Sequence, residues 1–343
     1  MGATGLRGGT LNLRHLVIVA ATAAALVSGA ASAAVGDILN VSYDVSRETF
    51  ADINPAFQAY WKGKTGQAVT VNQSHAGSSA QARAILEGLQ ADVVTFNQVT
   101  DVQVLHDKGD LIPANWRTRL PNRSSPFYSV PAFLVRAGNP KGIRTWDDLV
   151  KPGVGVVIPN PKTSGNGRYS YLAAYAYALD KTRSPAQAKE FARKFLANVV
   201  VFDTGGRAAT TSFVEKGQGD VLVTFEAEAL GTAKQVGPKV EVITPPVSLL
   251  AEFPVTVVDK VVDRRGSRDV AEAYLKFLYT PPAQAILAQH FYRVSDRSVA
   301  ARYRSQFHST RILTVEQTLG GWDKVAREHL AAGGLLDQVF VRQ

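Results

Sequence analysis

The chain has 343 residues, 45% of them hydrophobic and 20% charged, with 28 Gly, 16 Pro, one Met and no Cys. That balance excludes a disordered chain, a collagen and a disulfide-stapled module, and the length suits two lobes, each large enough to bury its own core. The formal charge of +9 admits nucleic acid, an anionic membrane surface or a small anion as partner, but Lys and Arg are interspersed with acidic residues, the pattern of a solvated surface, and no nucleic-acid partner is expected.

Residues 1–33 read as a signal peptide. Arg7 and Arg14 stand in front, an apolar run follows over 16–27, and small residues lead to Ala31-Ser32-Ala33, after which cleavage on export is expected. The run is shorter than the roughly 20 apolar residues that span a bilayer. Loss of Arg7 and Arg14 lowers the formal charge from +9 to +7, and loss of Met1 leaves no sulfur atom. A chain of ordinary composition would hold on the order of ten Cys and Met together. Exported proteins drop free Cys to escape stray oxidation, which accounts poorly for the loss of Met; economy of sulfur accounts for both and points towards sulfur uptake.

Residues 38–42 are apolar and β-prone, and Phe50, Ile53, Phe57 and Tyr60 follow at helical spacing until Gly63 and Gly66. A second strand is predicted over 69–73, with His75-Ala76-Gly77 as a turn, Ser78 as an N-cap, and Ala82, Ile85, Leu86 and Leu89 as a helical face. A third strand over 92–96 precedes a short helix over 100–108, closed by Gly109. The Pro-spaced run 127–135 passes into the second lobe. Strands are predicted there at 154–158, 199–202 and 221–225, with helices at 169–180 and from Ser184-Pro185 to Phe195. A second Pro-rich passage over 244–254 reads as the return crossover, ahead of a strand at 255–258 and helices at 270–278 and 282–289. This alternation predicts an α/β fold of parallel sheets covered by helices, with a ligand beyond the carboxyl ends of the strands.

Catalytic and metal-binding patterns are missing from the sequence. No thiolate is available, the five His after the leader (75, 106, 290, 308 and 329) show no paired spacing, and neither GxSxG nor a Walker A run occurs. Neither a metal nor a cofactor is expected. Four strand-to-helix junctions instead carry small or polar residues: Ser42-Tyr43-Asp44, Ala76-Gly77-Ser78-Ser79, Thr163-Ser164-Gly165-Asn166-Gly167 and Thr204-Gly205-Gly206. A helix start offers unpaired N–H groups and the positive end of the dipole, so an anion could satisfy several together. Taken singly, each also reads as an ordinary capped turn; the Ser164 run is the exception, since a hydroxyl followed by small residues permits close backbone approach to a ligand.

At these residues the sequence resembles a known family. Leu39-Asn40-Val41-Ser42-Tyr43-Asp44, Gln73-Ser74-His75-Ala76-Gly77-Ser78, Pro159-Asn160-Pro161-Lys162-Thr163-Ser164-Gly165-Asn166, Phe202-Asp203-Thr204-Gly205-Gly206-Arg207 and Gly219-Asp220-Val221-Leu222 are similar, in order, to motifs of the periplasmic sulfate- and thiosulfate-binding proteins of bacterial ABC importers. The resemblance implies the bilobal type II periplasmic-binding-protein fold, two parallel-sheet α/β lobes joined by crossover strands around a ligand cleft. Lobe I would cover 34–129, lobe II 130–250, and 251–343 would return to lobe I and end in C-terminal helices. It further implies a monomer that holds the dianion without a contacting cation and delivers it to permease and ATPase subunits. Amide donors would come from Asp44, Ser78, Ser164, Gly165, Asn166 and Gly206, with the Ser164 hydroxyl as a further donor and Arg168 and Arg207 in support.

One departure separates the branches of that family. Phe225 stands where sulfate-type members place a donating tryptophan, and the run Asn97-Gln98-Val99-Thr100-Asp101-Val102-Gln103 is similar to the thiosulfate-type branch. The reading expected here is therefore a receptor for thiosulfate, sulfate or both, with Phe225 as an apolar wall for the soft sulfur. Phosphate would want a buried acceptor, for which Asp44 or Glu226 are the candidates; Asp44 is expected to cap its helix by its side chain and lend its amide. A receptor for another oxyanion, molybdate or phosphate, and a secreted enzyme on the same fold are the alternative readings.

Overall fold

Strands and helices alternate along the computed structural model, which describes residues 36–340; the leader expected at 1–33 lies outside the described residues. First come β1 (Asp37–Tyr43), α1 (Arg47–Thr65), β2 (Thr70–Ala76), α2 (Ser78–Leu86), β3 (Val93–Thr95) and α3 (Val99–Asp107). After α4 (Pro121–Ser124) and β4 (Phe127–Ser129) follow β5 (Pro131–Arg136), β6 (Val156–Pro159), α5 (Gly165–Thr182), α6 (Pro185–Ala197), β7 (Val199–Asp203), α7 (Gly206–Val214), β8 (Val221–Phe225), α8 (Glu226–Val236) and β9 (Val240–Ile243). β10 (Val247–Leu249), β11 (Ala251–Glu252) and β12 (Val255–Val257) precede α9 (Asp259–Arg265), α10 (Arg268–Phe277), α11 (Pro281–Gln289) and β13 (Arg293–Val294).

Two larger sheets result, ordered β12-β3-β1-β2 and β7-β6-β8-β5-β9. The strands β1, β2 and β3 are parallel, as are β6, β7 and β8. The expectation of wholly parallel sheets is corrected at two strands: β12 is antiparallel to β3, and β5 to both β8 and β9. Each is the first strand after a passage between sheets, so no covering helix carries the chain back to the parallel starting end. The return to the first sheet, which the sequence could not establish, is direct in the pairing of Val255, Thr256 and Val257 with β3. The two passages also touch, because β4 pairs with β11 and β13 in a small antiparallel sheet.

Local sequence explains where the elements stop. The helix α1 runs through Gly63 and ends at Gly66, whose φ of 75° is left-handed and whose N–H closes on the Lys62 carbonyl. Phe50, Ile53 and Phe57 are fully buried on its inner face, and Phe57 meets Tyr274 edge-on at 5.0 Å. Each such side chain contributes about 1.5–3 kcal/mol of transfer free energy. By contrast α5 is buried on nearly every side, with Tyr169, Tyr171, Leu172, Ala173, Ala174 and Tyr175 in the core, which is why it lacks the polar stripe of a surface helix.

An aromatic plug then fixes the strand ends that build the site. Phe253, in the returning passage, lies 5.3 Å from Tyr43 at the end of β1, 5.1 Å from Phe225 at the end of β8 and 5.2 Å from Phe127 in β4. Tyr43 and Tyr292 share a hydroxyl hydrogen bond of 2.8 Å beside it. One residue of each larger sheet is thereby packed against a common ring.

Candidate functional site

The four junctions singled out in the sequence converge. At the end of β1, Asp44 opens a short turn: its Oδ1 accepts the Val45 N–H at 3.1 Å and its Oδ2 accepts the Arg207 N–H at 3.2 Å, from the first turn of α7. Its carboxylate thus reaches the helix start across from it as well as its own turn. A Cβ added to Gly205 would collide with Asp44 Oδ2, and one added to Gly77 would come 3.3 Å from the Thr163 carbonyl oxygen. A Cβ on Gly206 would sit 3.1 Å from Asn166 Nδ2 and 3.0 Å from Val45.

Ser78 is not the N-cap that the sequence suggested. Gly77 holds that position, and Ser78 is the first helical residue of α2. Its hydroxyl turns instead to α3, 2.6 Å from Asp101 Oδ2 and 2.8 Å from Asn97 Oδ1. Asp101, 4% exposed, also accepts from the Ser79 hydroxyl at 3.0 Å and from Arg168 at 2.6 Å. The helix geometry leaves the N–H of Ser78 without an intrahelical acceptor.

Ser164 is the N-cap of α5, in extended backbone (φ −128°, ψ 130°), and its Oγ accepts the Gly167 N–H at 3.4 Å. The Ser164 N–H is already donated to the Asn160 carbonyl at 2.9 Å, so what Ser164 offers a ligand is its hydroxyl proton; this corrects the amide role expected of it. Gly165 and Asn166 lie in the first turn, where N–H groups have no intrahelical partner. A side chain at Gly165 has no room, since its Cβ would strike Asn97 and lie 2.8 Å from Gln98 Cβ and 2.9 Å from Ser78 Oγ. The close approach, not backbone conformation, requires glycine there.

Two arginines join helices of the two sheets around this point. Arg168 of α5 pairs with Asp101 of α3, and Arg207 of α7 pairs with Glu48 of α1 at 2.6 Å. Each arginine is thus paired with a carboxylate. Phe225 is 1% exposed, edge-on to Tyr169 and Phe253. It lines a cavity of about 720 Å³ together with Val45, Arg207, Thr210, Glu228 and Tyr292. A second cavity of about 680 Å³ is lined by Asp44, Gly77, Thr163, Thr204 and Gly205.

Glu228 is the site residue that the sequence reading missed. Its carboxylate accepts from the hydroxyls of Thr210 and Thr224, each at 2.6 Å, and from Asn166 Nδ2 at 3.3 Å. Burial, reinforced by the charge of Asp44, raises its pKa to about 7. The alternative acceptor Glu226 is excluded from the site: it is fully buried but held by Arg293 at 2.7 Å and by Thr244 at 2.8 Å. Glu226-Ala227-Glu228 opens α8, and only the phase of that helix distinguishes the two carboxylates, so no residue-type pattern could have chosen between them.

The arrangement can hold a small ligand that accepts hydrogen bonds. Helix N-termini supply N–H groups and partial positive charge, and Ser164 supplies a hydroxyl. Comparison with known proteins agrees with this chemistry. The family described as bacterial extracellular solute-binding protein matches residues 39–293. The chain is 51% identical over 334 residues to the thiosulfate-binding protein of Escherichia coli, covering 96% of this chain and 98% of that one. It is 48% identical over 307 residues to the sulfate-binding protein of the same organism, covering 89% and 93%. The solved sulfate-binding protein SubI of Mycobacterium tuberculosis superposes with a TM-score of 0.77 at 34% identity, over 85% of this chain and 98% of that chain. The type II α/β binding-protein fold expected from the sequence is thereby borne out.

Proposed function

The chain belongs to the bacterial extracellular solute-binding proteins, and on that premise we propose that it captures thiosulfate or sulfate in the periplasm and delivers it to the permease and ATPase subunits of an ABC importer. The binding lobes are taken as 34–129 with 251–343, and 130–250. The relatives named above support the ligand class, and the observation that carries the reading is the convergence of Asp44, Ser78, Ser164–Gly165–Asn166 and Gly206, all at helix starts, on one point. Sulfate and thiosulfate are dianions near neutral pH and only accept hydrogen bonds, so a wall of donors suits them. Capture, not catalysis, is the function these groups serve.

Hydrogen phosphate would need an acceptor for its proton. Glu226 is committed to Arg293, the Asp44 oxygens accept the Val45 and Arg207 N–H groups, and both oxygens of Glu228 accept from threonine hydroxyls. Thermal unfolding with sulfate, thiosulfate, phosphate and molybdate added separately tests the reading. A ligand at 100 times its Kd adds about 2.7 kcal/mol, so the midpoint should rise by several degrees with thiosulfate or sulfate and stay unchanged with phosphate. No rise with any of the four would withdraw the assignment.

Phe225 bears on the choice between the two anions. Its ring offers no donor, and an apolar surface suits the large terminal sulfur of thiosulfate better than an oxygen. Phe225→Trp should move the ratio of affinities towards sulfate. The ratio is the proper readout, because the larger indole must also displace Phe253 and Tyr169 and will weaken both ligands together. An unchanged ratio would remove Phe225 as the discriminating residue.

A further inference from the structure

Gln98 sits just beyond the carboxyl end of β3 and is fully buried. It is the N-cap of α3: its Oε1 accepts the Thr100 N–H at 3.4 Å. That bond identifies the other head atom as the NH₂ group, since an amide turned the other way would set donor against donor. Nε2 has no hydrogen-bond partner among the described residues. Buried polar groups without a partner are rare, and each calls for an explanation such as a ligand or an ordered water.

The surroundings supply the explanation. Gln98 Cβ lies 2.8 Å from the position a Cβ on Gly165 would take, and Ser78 Oγ lies 2.9 Å from the same position. The unsatisfied donor is therefore carried by a residue in the wall formed by Gly165, Ser78 and Asn97. Two other unpartnered buried atoms near the junctions, Asn166 Oδ1 and Asp203 Oδ2, are acceptors that a dianion cannot satisfy. Gln98 has the matching polarity.

We propose that Gln98 Nε2 donates a hydrogen bond to the bound oxyanion, adding a side-chain donor to the backbone amides and the Ser164 hydroxyl. The proposal rests on the oxyanion reading given above. It makes Gln98 a specificity residue as well, because a carboxamide at a fixed place favours an oxygen there and leaves the thiosulfate sulfur to the side lined by Phe225.

Titration calorimetry of the full mature chain with sulfate and with thiosulfate tests this, using Gln98→Leu and Gln98→Glu. The loss of one hydrogen bond to a charged acceptor weakens binding roughly ten- to hundredfold. Gln98→Glu, which places an acceptor against the anion, should lose more than Gln98→Leu, an order that a purely structural role would not produce. Equal affinities of Gln98→Leu and the parent would overturn the proposal while leaving the oxyanion reading intact; a parent that binds neither anion would overturn both. If a variant does not fold, nitrogen-15 spectra of the parent decide: the Gln98 side-chain amide should shift on addition of sulfate, and an unmoved resonance at saturation would sink the proposal.

Discussion

Replacing Asp101 by Ala is expected to lower stability by about 3–5 kcal/mol, the range for breaking one side of a buried ion pair, and to abolish measurable anion binding. Asp101 and Arg168 have side chains only 6% and 15% exposed, so the freed guanidinium would be left with little water. The same carboxylate accepts from the hydroxyls of Ser78 and Ser79 in the first turn of α2. Its loss therefore unpins two donor-bearing helix starts together, one from each sheet. Asp101→Asn retains an acceptor for one hydroxyl and should fall between the parent and Asp101→Ala in both measurements. Urea denaturation paired with titration calorimetry separates the outcomes: a parent-like midpoint for Asp101→Ala would show that Arg168 finds another partner and that the ion pair does not hold the site.

This network marks the boundary of what the sequence makes legible. The strand at 221–225 matches β8 residue for residue, because a β-prone run that is apolar except at Thr224 lies between Asp220 and the helix α8 and fixes both ends. The donor-bearing junctions were visible for a similar reason, since a turn that must leave N–H groups exposed uses Gly, Ser or Asp. Contacts between junctions were not visible. Ser78 looks like a cap from its neighbours alone, yet Asp101, more than twenty residues further on, draws its hydroxyl away. The reversed direction of β5 and β12 has no signature in periodicity, because a buried strand reads alike in either direction. Glu228 escaped for want of helix phase, and of the two candidate acceptors, Asp44 and Glu226, the second is ruled out because Arg293, distant in sequence, claims it.

Two buried groups should make stability depend on pH in opposite ways. His329 is 4% exposed, its Nδ1 2.9 Å from the Tyr171 hydroxyl and its ring edge-on to Tyr175 at 4.7 Å; burial and the nearby charge of Lys324 lower its pKa to about 4. Between pH 6.5 and 4 the unfolded chain binds the extra proton, so this group's contribution is present above 6.5 and is lost as pH falls, on the order of 3 kcal/mol in all. Glu228, raised from 4.5 to about 7, works the other way: the folded state binds the extra proton, and stability is lost as pH rises from 4.5 to 7 by a similar amount. The two slopes nearly cancel between pH 4.5 and 6.5. Replacing either group should expose the other, so the melting midpoint of His329→Gln should fall with rising pH across that window and that of Glu228→Gln should climb. Profiles of both variants parallel to the parent would show that neither carboxyl nor imidazole titrates as its surroundings require. The carboxyl also carries the effect into binding, because a dianion settling beside Asn166 and Gly206 further disfavours the ionised form of Glu228. Affinity for the anion should therefore decline as pH rises above about 7, with proton uptake on binding, and Glu228→Gln should flatten that decline while His329→Gln leaves it unchanged.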